Sequence, residues 1–159
     1  MKSLYTLTLS SGLVAMGLFG LQGSAMALTS INANICQVAN AFPNGQVFRQ
    51  DNAISVVPGV GRQVVFCPVV RVGAAPASGF SVLFDGSKVA GGSEVTCSLV
   101  SYNFNNKFLG RASQNIFNAG TFSGRLTLAA AQVPAFSQQV VVCLLPAESS
   151  LFDIQPTTP

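Results

Sequence analysis

Beyond Ala27 the chain carries no sustained apolar period of 3.6 residues; its apolar residues come in short Val- and Phe-rich runs broken by Gly, Pro, Asn and Ser. Runs of that length, β-branched or aromatic and bounded by turn formers, are the signature of β-strands. Candidate strands are 46–50, 53–57, 63–71, 80–84, 94–102, 121–128, 137–145 and 151–154. Turns are expected at Pro43-Asn44-Gly45, Pro58-Gly59, Gly73 to Gly79, Asp85-Gly86, Gly91-Gly92 and Asn103 to Asn106. One stretch has helix propensity, Leu126 to Val133, and Gly124 and Pro134 confine it to a helical turn. The fold class that follows is all-β: an antiparallel β-sandwich or jelly-roll of about eight strands.

The strands are of two kinds. Phe80, Val82 and Phe84, and likewise Val95, Cys97 and Leu99, alternate with their neighbours and predict one buried and one wet face. Val64 to Val70 and Val140 to Leu145 are apolar on both faces, so either they run through the centre of the fold or one face meets a partner. Burial within the chain is the simpler of the two readings. Pro68 lacks an amide hydrogen and belongs on an edge, at a strand end or at a bulge.

The N-terminus reads as a secretory signal over 1–27: Lys2, the apolar run Gly12 to Leu21, and the small-residue cleavage site Ala25-Met26-Ala27. Residues 28–159 are then one β-sandwich domain with a flexible tail at 155–159, and no membrane insertion is expected once the signal is removed. An exported chain with an even number of cysteines favours disulfides. Cys36, Cys67, Cys97 and Cys143 are spaced 31, 30 and 46 residues apart, without a C-x-x-C pair or a histidine that zinc would want. Of three possible connectivities, Cys36–Cys67 with Cys97–Cys143 is favoured; each closes a long loop, nominally worth about 4 kcal/mol.

The composition removes whole classes of chemistry. With no His there is no Ser-His or Cys-His nucleophile pair and no imidazole metal ligand. None of the five acids, Asp51, Asp85, Glu94, Glu148 and Asp153, needs a catalytic role: Asp85 opens a turn, Glu94 lies on a wet strand face, and Glu148 and Asp153 sit near the C-terminus. No phosphate-cradling loop and no calcium loop is present, and no cofactor or metal is expected. The net charge of +3 is too small and too scattered for nucleic-acid binding. Lys88 and Lys107 read as solvated loop tips, and Arg49, Arg62, Arg71, Arg111 and Arg125 as strand-end residues reaching for water.

The candidate ligand or partner surface is Tyr102, Asn105 and Lys107, in the only stretch where rings alternate with amides, together with Arg71 directly after the Cys67-Pro68-Val69-Val70 run. Phe104 and Phe108 in that stretch read as core residues beneath a loop. The signal, Cys36-Gln37, the Val65-Phe66-Cys67-Pro68-Val69-Val70-Arg71 stretch, Cys97-Ser98-Leu99 and Cys143-Leu144-Leu145-Pro146 together resemble a group of small secreted bacterial proteins. That resemblance implies a two-cystine β-sandwich and carries over no activity. The leading expectation is a non-enzymatic periplasmic or extracellular protein acting through its surface, as a homo-oligomeric structural subunit or against another extracellular protein. The alternative is a glycan-binding module.

Overall fold

A computed structural model describes residues 31–39, 47–50, 52–69 and 78–157. The signal segment 1–27, Arg71, the Pro43-Asn44-Gly45 turn and most of the Gly73 to Gly79 turn lie outside the described residues. Among the described residues the strands are β1 (Ile31–Asn32), β2 (Gln37–Val38), β3 (Val47–Gln50), β4 (Ala53–Val56), β5 (Gln63–Val69), β6 (Phe80–Lys88), β7 (Val95–Tyr102), β8 (Phe108–Ile116), β9 (Gly120–Leu128), β10 (Gln138–Leu145) and β11 (Ser149–Thr157). The first sheet runs β3-β4-β11-β6-β9, with β1 beside β11; the second runs β2-β5-β10-β7-β8.

The order is that of one long nested hairpin rolled into two layers. Its rungs are the antiparallel pairs β7·β8, β6·β9, β5·β10 and β4·β11, and rolling adds β6·β11 and β7·β10. This is jelly-roll topology. The inner faces meet in a core that includes Phe84, Ile54, Leu99, Leu126, Val141 and Leu151, all at most 2% exposed. Both disulfides take the favoured pairing and are buried in it. Cys97 and Cys143 are direct register partners on β7 and β10, and Cys36–Cys67 ties the Ala33–Ile35 helical turn to β5.

Several elements depart from the sequence reading, each for a physical reason. Strand β8 was not expected, because only Gly110 and Ile116 of its nine residues are buried and Arg111, Ser113, Gln114 and Asn115 make up most of its second half. It is an edge strand, where pairing on one side suffices without an apolar face. Asp85-Gly86 is no turn: both lie within β6, opposite an irregularity in β11 between Leu151 and Asp153. A Cβ at Gly86 would overlap the Phe122 ring and the Ser150 carbonyl, so the glycine is a seat for an aromatic ring, as Gly124 is for Phe84. Residues 155–157 are not tail but the end of β11, paired with β6. Lys88 is no loop tip: it is 5% exposed at the end of β6, with Nζ donating to the Gly92 carbonyl at 3.1 Å. The expected helical turn is present as Ala130–Gln132.

Candidate binding face

Strands β5 and β10 pair side by side, and their two apolar faces part company. Val65, Cys67, Val69, Val141, Cys143 and Leu145 point into the core and are buried. Val64, Phe66, Pro68, Val140, Val142 and Leu144 point the other way, onto the outer face of the second sheet, where all are half-buried or exposed. Pro68 is tolerated because β2 pairs with β5 only at Val65 and Phe66, which leaves Pro68 on an edge. The simpler reading, burial on both sides within the chain, therefore does not hold; one face of this strand pair is surface.

The apolar strip continues across the sheet through register. Val140 lies opposite Val100, which lies opposite Arg111; Gln138 lies opposite Tyr102, which lies opposite Phe108. Tyr102 and Phe108 meet edge to face with centroids 6.2 Å apart. Phe108 is 55% exposed, Phe104 72% and Phe136, just before β10, 84%. Phe104 and Phe108 are thus not core residues but surface rings. From β5 to β8 the strip spans three inter-strand gaps, about 14 Å.

Polar groups are set into it at fixed positions. Arg111 is mid-strand, not at a strand end. Its Nε and Nη2 donate to Ser98 Oγ at 3.1 and 2.7 Å, and Nε also reaches Ser113 Oγ at 2.9 Å, so the guanidinium lies over a buried serine. The Asn103 to Lys107 turn is built by one side chain: Asn103 Oδ1 accepts from the Asn105 and Lys107 amides at 3.0 and 2.8 Å, while Asn106 takes the left-handed conformation. Asn105 and Lys107 are exposed there, beside Tyr102 at the end of β7. Of the predicted surface, Tyr102, Asn105 and Lys107 come together, and Arg71 is outside the described residues. At the β10 end an open groove of about 420 Å³ is lined by Pro68, Phe136, Ser137, Gln138, Gln139 and Val140. Phe136 and Gln138 were not anticipated; a phenylalanine after Pro134-Ala135 reads like any other turn residue until its backbone is known.

The outer face of the first sheet differs in kind. Ser55 and Ser150, 2.7 Å apart, Ser81 and Thr127, 2.7 Å apart, and Asp85, Asp153, Ser123 and Arg125 make up much of it. Elsewhere Arg62 pairs with Glu94 at 2.6 Å, and its guanidinium holds the Glu94 carboxyl below the usual carboxylate range. Among the described residues no three His, Cys, Asp or Glu side chains group together, and no helix is long and apolar enough to cross a membrane.

No protein-family model and no curated protein matches the sequence. Solved structures do match in fold. The enzymatically active domain of tailspike protein 4 from bacteriophage CBA120 aligns over 81% of this chain with a TM-score of 0.50 and 12% identity, this chain spanning 18% of that one. The C-terminal CBM6 of LamC, a laminarinase of Zobellia galactanivorans, aligns over 82% of this chain and 99% of its own, with a TM-score of 0.49 and 13% identity. The xylan-binding module CBM15 aligns over 82% and 96%, with a TM-score of 0.49 and 11% identity. At such identities the likeness is one of β-sandwich architecture.

Proposed function

We propose that this protein is an exported, non-catalytic carbohydrate-binding module that takes a glycan across the outer face of its second sheet. The observation that carries the reading is the set of rings on that face, exposed Phe66, Phe108 and Phe136 and half-buried Tyr102, interleaved with Gln138, Arg111 and the asparagine turn. A sugar presents C–H faces that pack on rings and hydroxyls that need donors and acceptors, so a site for it combines apolar area with a few placed polar groups. The buried disulfides fit an oxidising compartment, periplasmic or extracellular. Two of the fold neighbours above bear the names of carbohydrate-binding modules.

Self-association through the same face is the second reading, favoured by the contiguous Val64, Phe66, Pro68, Val140, Val142 and Leu144 surface. The polar groups rank it second: a homodimer core excludes charge, whereas Arg111 stands within the strip and Lys107 at its end. The edge strand β8, with Arg111, Ser113 and Asn115 outward, is also poorly suited to edge-to-edge pairing. A glycan array with the purified protein, run beside light scattering, separates the two. Array signals from a monomer that vanish in Tyr102→Ala/Phe108→Ala support the glycan reading; a stable dimer without array signals supports the other.

A further inference from the structure

The turn that leads into β10 holds a ring where turn chemistry disfavours one. The Ser137 amide donates to the Pro134 carbonyl at 3.2 Å, and Phe136, third of the four residues, has φ 62° while Ala135 is not among the positive-φ residues. That is the type II arrangement, whose third position favours Gly or Asn because a larger side chain is strained in the left-handed region. Phe136 is also 84% exposed, so burial returns nothing for the strain. A strained, solvent-facing ring is explained by a contact outside the chain.

The groove beside this ring defines what that contact is. None of its lining residues is charged, and Pro68 and Val140 give it apolar walls. Gln139, 3% exposed, donates from Nε2 to Ser137 Oγ at 2.8 Å and to Ser101 Oγ at 3.3 Å. Ser137 Oγ itself donates to the Pro134 carbonyl at 2.7 Å, so it must accept from the amide. That orients Nε2 toward the serines and places Gln139 in the core-facing row with Val141, so the amide the groove itself offers is that of the exposed Gln138. An uncharged groove with apolar walls, an exposed ring and an exposed amide matches a neutral ring that carries hydroxyls. An ionic ligand would find no counter-charge, and a wholly apolar one would bury the Gln138 amide without a partner.

We infer that Phe136 is the anchoring ring of a neutral-sugar subsite formed with Pro68, Gln138 and Val140. This rests on the glycan-binding reading and adds to it the site of strongest attachment and the charge class of the sugar. The test measures thermal stability and retardation in gels containing xylan, laminarin or polygalacturonate, for the wild type, Phe136→Asn, Phe136→Tyr and Phe108→Ala. The expected result is retardation of the wild type by a neutral polysaccharide and not by polygalacturonate. Phe136→Asn loses roughly tenfold or more in affinity while its Tm holds or rises by about 2 °C, because Asn tolerates the left-handed backbone; Phe136→Tyr retains binding. A Tm several degrees lower in Phe136→Asn overturns the inference, since the ring would then serve the fold. Unchanged affinity in Phe136→Asn while Phe108→Ala weakens binding overturns it too and leaves the glycan reading standing. Retardation by polygalacturonate alone overturns the neutral class, and no retardation in any gel overturns both the inference and the reading it rests on.

Discussion

The two outer faces of this sandwich are built from strands of similar length and present different chemistry. On the first sheet, hydroxyls bond one another across the ladder, Ser55 with Ser150 and Ser81 with Thr127, beside Asp85, Asp153 and Arg125, and Phe48 next to Ser55 is its exposed ring. On the second sheet, Val64, Phe66, Pro68, Val140 and Val142 have no such partners, and rings stand out at both ends of the strip. Both faces flank the same core, so the fold does not require the difference. The lesson is that packing explains one side of each β5 and β10 residue pair, and the other side needs an interaction beyond the chain.

Breaking the contrast from the ligand side should produce the largest effect. Replacing Tyr102 and Phe108 together by Ala removes the edge-to-face pair and its apolar platform. Paired ring anchors of this kind commonly carry about 2 kcal/mol or more, so affinity for the bound glycan is expected to fall roughly thirtyfold or more by titration calorimetry. Ser123→Ala on the opposite face should leave affinity unchanged; a loss there would erase the distinction between the faces.

The next effect sharpens the contrast by showing what the first sheet is for. Gly86→Ala places a methyl group against the Phe122 ring and the Ser150 carbonyl, and overpacking of this sort costs about 1–3 kcal/mol. Thermal unfolding should shift down by several degrees, with glycan affinity per folded molecule intact.

Some of this organisation was legible in the residues and some was not. Short Val- and Phe-rich runs between turn formers were enough for an all-β jelly-roll, because alternation and turn chemistry are local. The cystine pairing also agrees, with Cys97 and Cys143 meeting as register partners. Strand β8 escaped because an edge strand with polar outward and small inward residues has little alternation to read. Asp85-Gly86 looked like a turn because a glycine that yields space to Phe122, distant in sequence, is indistinguishable from one that bends the chain. Tyr102, Asn105 and Lys107 were visible as a cluster, yet Phe104 and Phe108 looked buried, since an apolar side chain in sequence does not declare its side of a sheet. Phe136 was invisible, its meaning residing in a backbone angle.

A smaller effect concerns the polar inlay of the binding face. Arg111→Ala leaves the Ser98 and Ser113 hydroxyls to each other, 2.9 Å apart, and should lower stability by about 1 kcal/mol or less. Denaturant unfolding reads it. The smallest effect is expected at Glu94, outside both faces. Its carboxyl lies below the usual range because Arg62 hydrogen-bonds it, so its contribution is present at neutral pH and is lost as pH falls through that lowered value. Melting curves of wild type and Glu94→Gln should therefore differ slightly at pH 7 and converge in acid; a difference growing toward low pH would reverse the sign.

The most direct test of the central claim is a residue-resolved titration by NMR, with isotope-labelled protein and a pool of neutral oligosaccharides from xylan and laminarin. Amide and aromatic shifts confined to the outer-face residues of β5, β7, β8 and β10 and to the Phe136 turn are the predicted result. Shifts centred on the hydroxyl face of β6, β9 and β11, or none at any oligosaccharide concentration, would contradict it.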